Sequence, residues 1–393
     1  MAQAKDSTLV KFDESEIQQY LNRTIKQAVQ EVFEALLQAE ADELVQARPY
    51  ERTTTRKDQR NGKRKRKLTT RVGEIELTVP RLRTIPFQSQ IIDRYKRMEC
   101  SLEEALIEMY LQGISTRKVT DITEELCGVH VSSGRMSRLN HKVYGKLKEW
   151  RSRPLEKTYR YLYLDGTVIK GRWSGHVEPI SILVAVGVNE EGYREVLAVT
   201  AGGSEDAASW LSLLRDLKKR GVRSVDLIVA DAHAGLRQAR EKCFTKADYQ
   251  RCIFHFIRNI LTKVPKRKQK QIARILKAIF AQESYDEAWA KAKQFTSKYE
   301  KSLPGAVRIL KRGLEESLTY FRYPAKHWSR IRTNNPLERL LREVKRRLKV
   351  VSVFPDVESA LTLATARLKW TQEKTWSQKR YLGMEPEIAD EVA

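Results

Sequence analysis

Two apolar runs that each end on an aspartate constrain the fold of this chain most. Tyr161–Leu164 leads into Asp165, and Val225–Ala230 leads into Asp231. Between Tyr159 and Cys252 three strand-like runs follow one another, Tyr159–Leu164, Pro179–Val188 and Tyr193–Thr200, the last two joined by the turn Asn189-Glu190-Glu191-Gly192. β-Branched and aromatic residues dominate these runs, and turn-forming residues separate them. A helical run from Glu205 to Arg220 then leads to the strand Val225–Ala230, a second helix His233–Lys242 and a short strand at Tyr249–Ile253. Antiparallel strands can follow directly on one another, whereas parallel neighbours need a crossover helix, so this order predicts a mixed five-stranded sheet with helices. Asp231 should stand at the carboxyl edge of a buried strand, where ligand sites of such sheets collect. Asp226, five residues earlier, should face the other way, toward solvent.

A third acid, Glu338, opens a basic amphipathic helix, Glu338–Lys349, with Leu340, Leu341, Val344 and Leu348 as its apolar stripe. Residues 256–328 have helical spacing throughout and read as an all-α insertion, since the Glu338 helix must return to the sheet. Three antiparallel strands followed by helix-strand-helix-strand is the order of the ribonuclease H-like α/β fold. The expected organisation is an N-terminal amphipathic helix (1–50), a basic linker with a small β-hairpin (51–100), a helix-turn-helix domain (101–155), a catalytic core (156–255 and 329–393) and the α-helical insertion (256–328).

Each acid alone has a bland reading. Asp165, before Gly166-Thr167, caps a turn as readily as it binds metal, and Glu338 in a first helical turn also complements the helix dipole. Glu343, five residues further on, points to a different face. Together the three suit hard cations: Mg²⁺ or Mn²⁺, two per site and about 4 Å apart, with Asp165 bridging both and Asp231 and Glu338 each holding one. Such a pair activates a water, or later a DNA 3′-hydroxyl, and stabilises the leaving oxygen. A covalent tyrosine mechanism would need an Arg/His/Tyr cluster, which the 15 tyrosines do not form. Cys252 and His255 make a Cys-x-x-His pair with no second pair to complete a zinc site, so packing or a hydrogen bond near the scissile phosphate is expected instead. His233 can touch that phosphate or cap a helix, and Trp328 can stack on a base or fill a core.

The chain carries 74 Lys+Arg against 50 Asp+Glu, a formal charge of +24 and a pI near 9.8, which favours a polyanionic partner. Eight basic residues and one acid fall within Arg56–Lys67, where Arg60, Lys63, Arg64, Lys65 and Arg66 read as a solvated linker able to meet DNA phosphates; Asn61-Gly62 marks a turn. A hairpin is expected at Leu68–Arg71 and Glu74–Val79, bent at Val72-Gly73 and stopped by Pro80. Ser115–Leu126, a break at Cys127-Gly128-Val129 and a helix from Ser132 or Ser133 have helix-turn-helix spacing. Arg117 and Lys118 on the first helix, and Ser133, Arg135, Ser137, Arg138 and Asn140 on the second, are its candidate DNA contacts, although many three-helix units of this shape never touch DNA. Arg332, Arg339, Arg342, Lys345 and Arg346 add a basic face around Glu338. From Phe12 to Ala47 an apolar stripe (Ile17, Leu21, Ile25, Val29, Val32, Phe33, Leu36, Leu37) predicts one long helix, packed on its own domain or against a second copy. No apolar run is membrane-spanning, the first residues lack a signal-peptide core, and Cys100, Cys127, Cys243 and Cys252 show no disulfide framework; the expected compartment is the cytoplasm, at the nucleoid.

Several stretches in order resemble the Mutator-like bacterial insertion-sequence transposases over most of the chain: Arg60-Asn61-Gly62, Gly73–Arg81, Met109–Arg117, Leu164-Asp165-Gly166, Val229–Leu236, Cys252-x-x-His255, Arg332-Thr333-Asn334-Asn335-x-x-Glu338-Arg339, Arg346-Arg347 and Phe354-Pro355. Asn335-Pro336-Leu337 departs slightly from the Ala/Ile-containing form. The resemblance implies a DDE transposase with a ribonuclease H-like core interrupted by a helical insertion, its catalytic acids at Asp165, Asp231 and Glu338. It also implies binding of double-stranded DNA, as terminal inverted repeats and as target, action as a dimer or larger assembly, and a circular copy-out intermediate. Two other readings stand beside it: a catalytically silent helix-turn-helix DNA-binding protein, and a ribonuclease H-like nuclease without strand transfer. A pure binding module needs none of the three acids, and a minimal nuclease needs neither the insertion nor the separate N-terminal segments.

Overall fold

A computed structural model of the chain describes residues 13–92, 98–111, 114–173, 176–202, 206–349, 354 and 356–384. Phe12, Gln112, Gly113, Glu205 and Pro355 lie outside them, as do the side chains of Ser133 and Asn140. Contacts divide the chain into two units, residues 1–110 with 114–142, and 111–113 with 143–393.

The first unit opens with α1 (Glu14–Val45), started by the Asp13 carboxylate accepting the Ser15 N–H and ended by Gln46 in the left-handed region. The hairpin β1 (Arg60–Thr70) and β2 (Gly73–Leu82) packs on it, with Leu37, Leu68, Ile75, Leu77, Val79 and Ile92 buried together against Val29 and Phe33. The apolar stripe of α1 therefore divides. Val29, Phe33 and Leu37 build its own domain, while Ile17, Leu21, Ile25, Val32 and Leu36 remain exposed.

The basic stretch expected as a linker over Arg56–Lys67 is, from Arg60 onward, strand β1 instead. Alternating β2 residues template it: Glu76 takes Lys65 at 2.7 Å and Glu74 takes Lys67 at 2.8 Å, so cross-strand charge pairs hold a run that would otherwise repel itself. Asn61-Gly62 is a bulge within β1, not a turn; the register shifts between Arg60 and Lys63 and Gly62 takes φ +76°. Pro80 does not stop β2 but sits inside it opposite Lys63, as the open edge of a two-stranded ribbon allows.

Three helices follow, α2 (Cys100–Leu111), α3 (Thr116–Cys127) and α4 (Ser133–Ser152), and the division between units falls within α4. Ser115 caps α3 by accepting the Lys118 N–H, and Gly128, at φ +61°, ends it. The Ser132 hydroxyl accepts the Arg135 N–H at 3.3 Å, and Thr120 Oγ1 donates to the Val131 carbonyl at 2.6 Å, fixing the turn between α3 and α4. Leu102, Leu106, Val119, Val129, Val131, Met136 and Leu139 form the core beneath that turn.

The second unit contains β3 (Tyr159–Trp173), β4 (His176–Asn189), β5 (Arg194–Gly202), α5 (Ala207–Lys219), β6 (Leu227–Ala230), α6 (Ala234–Cys243) and β7 (Asp248–Arg251). They make one sheet of order β5-β4-β3-β6-β7, antiparallel from β5 to β3 and parallel from β3 to β7. Leu162 and Leu164 of β3 pack with Trp210, Leu213, Leu214 and Leu217 of α5 and Leu236 and Ala239 of α6. The alternate residues Tyr161, Tyr163 and Asp165 therefore face the other side of the sheet. Two boundaries of the sheet differ from the sequence reading: β3 runs eight residues beyond Asp165 and β4 starts at His176 rather than Pro179, because the two stay paired as far as Trp173↔His176.

After β7 come α7 (Ile253–Leu261), α8 (Lys266–Ile279), α9 (Tyr285–Tyr299), α10 (Pro304–Ser317), a 3₁₀ turn (Thr319–Arg322) and α11 (Ala325–Ile331), then α12 (Asn335–Leu348) and α13 (Val357–Thr371). Gln250, fully buried in β7, ties this helical block to the sheet. Its amide donates to the Arg251 and Ser317 carbonyls at 2.7 and 2.9 Å, and its oxygen accepts the Tyr320 N–H at 2.7 Å. Among the described residues no helix is long and apolar enough to cross a membrane. Replacing Gln250 by Ala orphans buried backbone groups that each cost about 1–3 kcal/mol, so chemical denaturation should show a loss of about 2–4 kcal/mol; an unchanged midpoint would remove Gln250 as the tie.

Candidate active site

Parallel pairing of β3 with β6 sets the first two acids side by side. The register runs Tyr161↔Leu227, Leu162↔Ile228, Tyr163↔Val229, and two residues beyond the last pair stand Asp165 and Asp231. Adjacent strands lie about 4.8 Å apart, so the register sets these two residues at neighbouring backbone positions at the edge where β6 ends. Each is oriented locally: Asp165 Oδ1 accepts the Gly166 N–H at 2.9 Å and Asp231 Oδ1 accepts the Ala232 N–H at 2.7 Å. The Asp231 carbonyl accepts the Tyr249 hydroxyl at 2.6 Å and the His233 N–H at 2.9 Å, which shapes the turn after β6.

Glu338 arrives from α12 across the whole helical block, and Asn334 puts it in place. Asn334 is fully buried; its Nδ2 donates to the Leu164 carbonyl at 2.9 Å and its backbone N–H to Cys252 Sγ at 3.3 Å. Its carbonyl accepts the Glu338 N–H at 3.0 Å, so the first turn of α12 is fixed to the residue before Asp165 and to the end of β7. A parallel bond from the Ile253 N–H to the Arg332 carbonyl at 3.1 Å reinforces this docking. His255, near the start of α7, lies between the acids, its Nδ1 3.8 Å from Asp231 Oδ2 and 3.6 Å from Glu338 Oε1. That nitrogen is buried without a hydrogen-bond partner. Cys252 Sγ lies 3.9 Å from Glu338 Oε1, and burial pushes its thiol up to about 11, with the Glu338 charge adding and the Asn334 and His255 backbone N–H groups opposing.

Cys252, His255 and Glu338 present ligand atoms within 4.8 Å of one another. The third member comes from α12, which is why no second pair was visible in the sequence. The open side of the site is at Asp231, whose side chain is 46% exposed against 14% for Glu338.

Other candidates separate cleanly. Asp226 is exposed and pairs with Arg160 at 2.8 Å, and Glu343 is held down to about 2, first by the Arg346 hydrogen bond and also by Arg347. Both lie off the site, as their spacing predicts. His233 occupies the N-cap position of α6 without capping it, and its Nδ1 is buried and unpartnered. Trp328 is half-buried, packs edge-to-face with Phe321 and Tyr320 and donates to the Tyr323 carbonyl at 2.6 Å. Two residues expected on DNA have interior tasks instead: Arg60 pairs with Asp42 and with the Ala47 carbonyl, and Arg332 donates to the Phe280 carbonyl at 3.1 Å. Lys63, Arg64, Arg117, Lys118, Ser137, Arg138, Arg339 and Arg342 are exposed. Lys65 and Arg346 are exposed in ion pairs with Glu76 and Glu343, while Arg66, Arg135 and Lys345 are half-buried.

The family model described as "Transposase, Mutator family" matches residues 1–378. The transposase of insertion sequence ISRM5 from Rhizobium meliloti (strain 1021) is 37% identical over 361 residues, 92% of this chain and 91% of that protein. The transposase of IS256 in transposon Tn4001 from Staphylococcus aureus is 36% identical over 379 residues, 94% and 97% of the two chains. That of IS1081 from Mycobacterium tuberculosis is 35% identical over 353 residues, 89% and 85%. Among solved structures, the Drosophila P element transposase strand transfer complex aligns over 72% of this chain and 82% of that chain at 11% identity, with a TM-score of 0.31, too low to establish a shared fold. With a family match over almost its whole length and relatives this similar across both chains, the protein belongs to the Mutator family of transposases.

Proposed function

We propose that this insertion-sequence transposase cleaves DNA at the ends of its element and transfers the freed 3′-hydroxyl to target DNA, with Asp165, Asp231 and Glu338 as its catalytic acids. One observation carries the reading: residues separated by 66 and 107 positions are brought to one edge of the sheet by strand register and by the Asn334 tie. The strand order, with a helical block inserted before α12 returns to β3, supports a ribonuclease H-like core.

The donor set suits hard divalent cations. Asp231 and Glu338 both approach His255 Nδ1, at 3.8 and 3.6 Å, Asp165 stands beside Asp231 by strand register, and Cys252 Sγ accepts the Asn334 N–H. Asp165, Asp231 and Glu338 would hold two Mg²⁺ or Mn²⁺ ions, which when bound supply activation of a water or 3′-hydroxyl and stabilisation of the leaving oxygen. The protein's own part is placement. Strand register spaces the aspartates, Asn334 sets the height of Glu338 on the sheet, and His255 Nδ1 lies between the Asp231 and Glu338 carboxylates at 3.8 and 3.6 Å. No side-chain nucleophile is required.

Recognition of the terminal inverted repeats falls to α3 and α4, whose exposed Arg117, Lys118, Ser137 and Arg138 suit a DNA groove and its phosphates. The exposed Lys63 and Arg64 of β1 add a non-specific phosphate contact. Action as a dimer or larger assembly, and a copy-out route through a DNA circle, complete the proposed pathway.

Replacing Asp165, Asp231 or Glu338 by Ala should leave binding of the element end within about threefold while lowering Mg²⁺-dependent nicking and joining by at least about 10³-fold, as expected when a metal-holding group is lost. Retained cutting in any of the three would refute the assignment. Asn334→Ala removes the tie without touching the acids. Nicking at saturating DNA should fall about 10²-fold, the effect of an ångström-scale misplacement, while end binding stays unchanged; wild-type rates would show that Glu338 is positioned by other means.

A further inference from the structure

Beside the first turns of α12, lined there by Asn335, Pro336 and Arg339, lies a cavity of 410 Å³ whose walls include Arg194, Arg330, Lys379 and Arg380 and not one carboxylate. Its inner wall is unusual in charge. The Arg194 guanidinium lies 4.4 Å from the Tyr381 ring centre and 4.4 Å from that of Trp376, and Arg330 lies 5.1 Å from the same Tyr381 ring. Arg194 Nε is buried with no hydrogen-bond partner. Burial, and the neighbouring Arg330 charge, weaken its hold on its proton. Two guanidinium groups sharing one ring, with Arg339 and Lys379 on the same cavity, repel one another, and that cost falls when an anion enters. The planar fork of arginine fits the oxygens of a phosphate.

We infer that this cavity seats a backbone phosphate of the DNA strand that runs past the three acids. The inference rests on the proposed function for the identity of that strand. The first two turns of α12 carry both Glu338 and the cavity-lining Arg339. Because a helix with its side chains is only about 10 Å across, DNA engaged at Glu338 passes within a few nucleotides of the cavity. The seat fixes how the strand is aligned relative to the cutting edge.

The test is equilibrium binding of the full chain to a duplex of the element end, without divalent metal, between about 50 and 200 mM salt. Arg339→Gln combined with Lys379→Gln alters exposed side chains only. The plot of log affinity against log salt should become shallower by about 1, the loss of one phosphate contact. A charge-matched control, Lys291→Gln with Lys293→Gln in α9, should keep the wild-type slope. An unchanged slope in the first variant, or an equal loss in the control, overturns the inference. A thermal melt in inorganic phosphate against chloride at equal ionic strength separates the two sources of anion. Stabilisation by phosphate that is lost in the variant, together with an unchanged DNA slope, would assign the cavity to a free anion and overturn the DNA reading. Because binding is read without cleavage, this outcome is independent of whether the three acids cut DNA.

Discussion

A single buried amide holds the active edge of this protein together. Asn334 joins three separate parts of the chain: the strand before Asp165 through the Leu164 carbonyl, the end of β7 through Cys252 Sγ, and the first turn of α12 through its own carbonyl. Beside it, the Ile253 N–H bond to the Arg332 carbonyl and the packing of α12 on β3 hold the same junction. Loop-closure entropy grows slowly with length, so a long insertion costs little once its ends are fixed, and much depends on the fixing. Gln250 does similar work from β7, binding Ser317 and Tyr320 so that the block is docked along its length as well as at its ends.

The same helix separates a structural acid, Glu343, from the one proposed to react, Glu338. Glu343 receives Arg346, Arg347 and Arg367 and stays ionised to about pH 2, which fixes α12 to α13. Glu338 has none of these partners; it faces His255 and Cys252 beside Asp231. Five residues turn the side chain to another face, and that rotation takes it from an arginine cluster to the sheet edge. A carboxylate already neutralised by arginine is a poor metal ligand, so the difference in surroundings suits each acid to its role.

Much of this could be read from the chain. Strands of β-branched residues ending near acids, then helices in crossover order, identify the mixed sheet, and the spacing of Asp226 from Asp231 and of Glu343 from Glu338 excludes the wrong partners. The residues that were hidden are those whose role depends on distant neighbours. Asn334 stands at the N-cap position of α12, where an asparagine ordinarily caps its own helix, yet its side chain makes no cap bond and reaches the Leu164 carbonyl instead. The charge run of β1 reads as solvated chain because its stabilising acids, Glu74 and Glu76, lie across a hairpin. Arg194 is one arginine among many in sequence and gains its character only between Trp376 and Tyr381.

The central claim is that three oxygen ligands meet at the edge where β6 ends and define a two-cation site. A crystal of the protein grown with Mn²⁺ and measured at the manganese absorption edge tests it most directly. Two anomalous peaks about 4 Å apart, flanked by the carboxylates of Asp165, Asp231 and Glu338 at roughly 2.2 Å, are the expected result. A peak held by Cys252 and His255 with Asp165 and Asp231 turned away would contradict it.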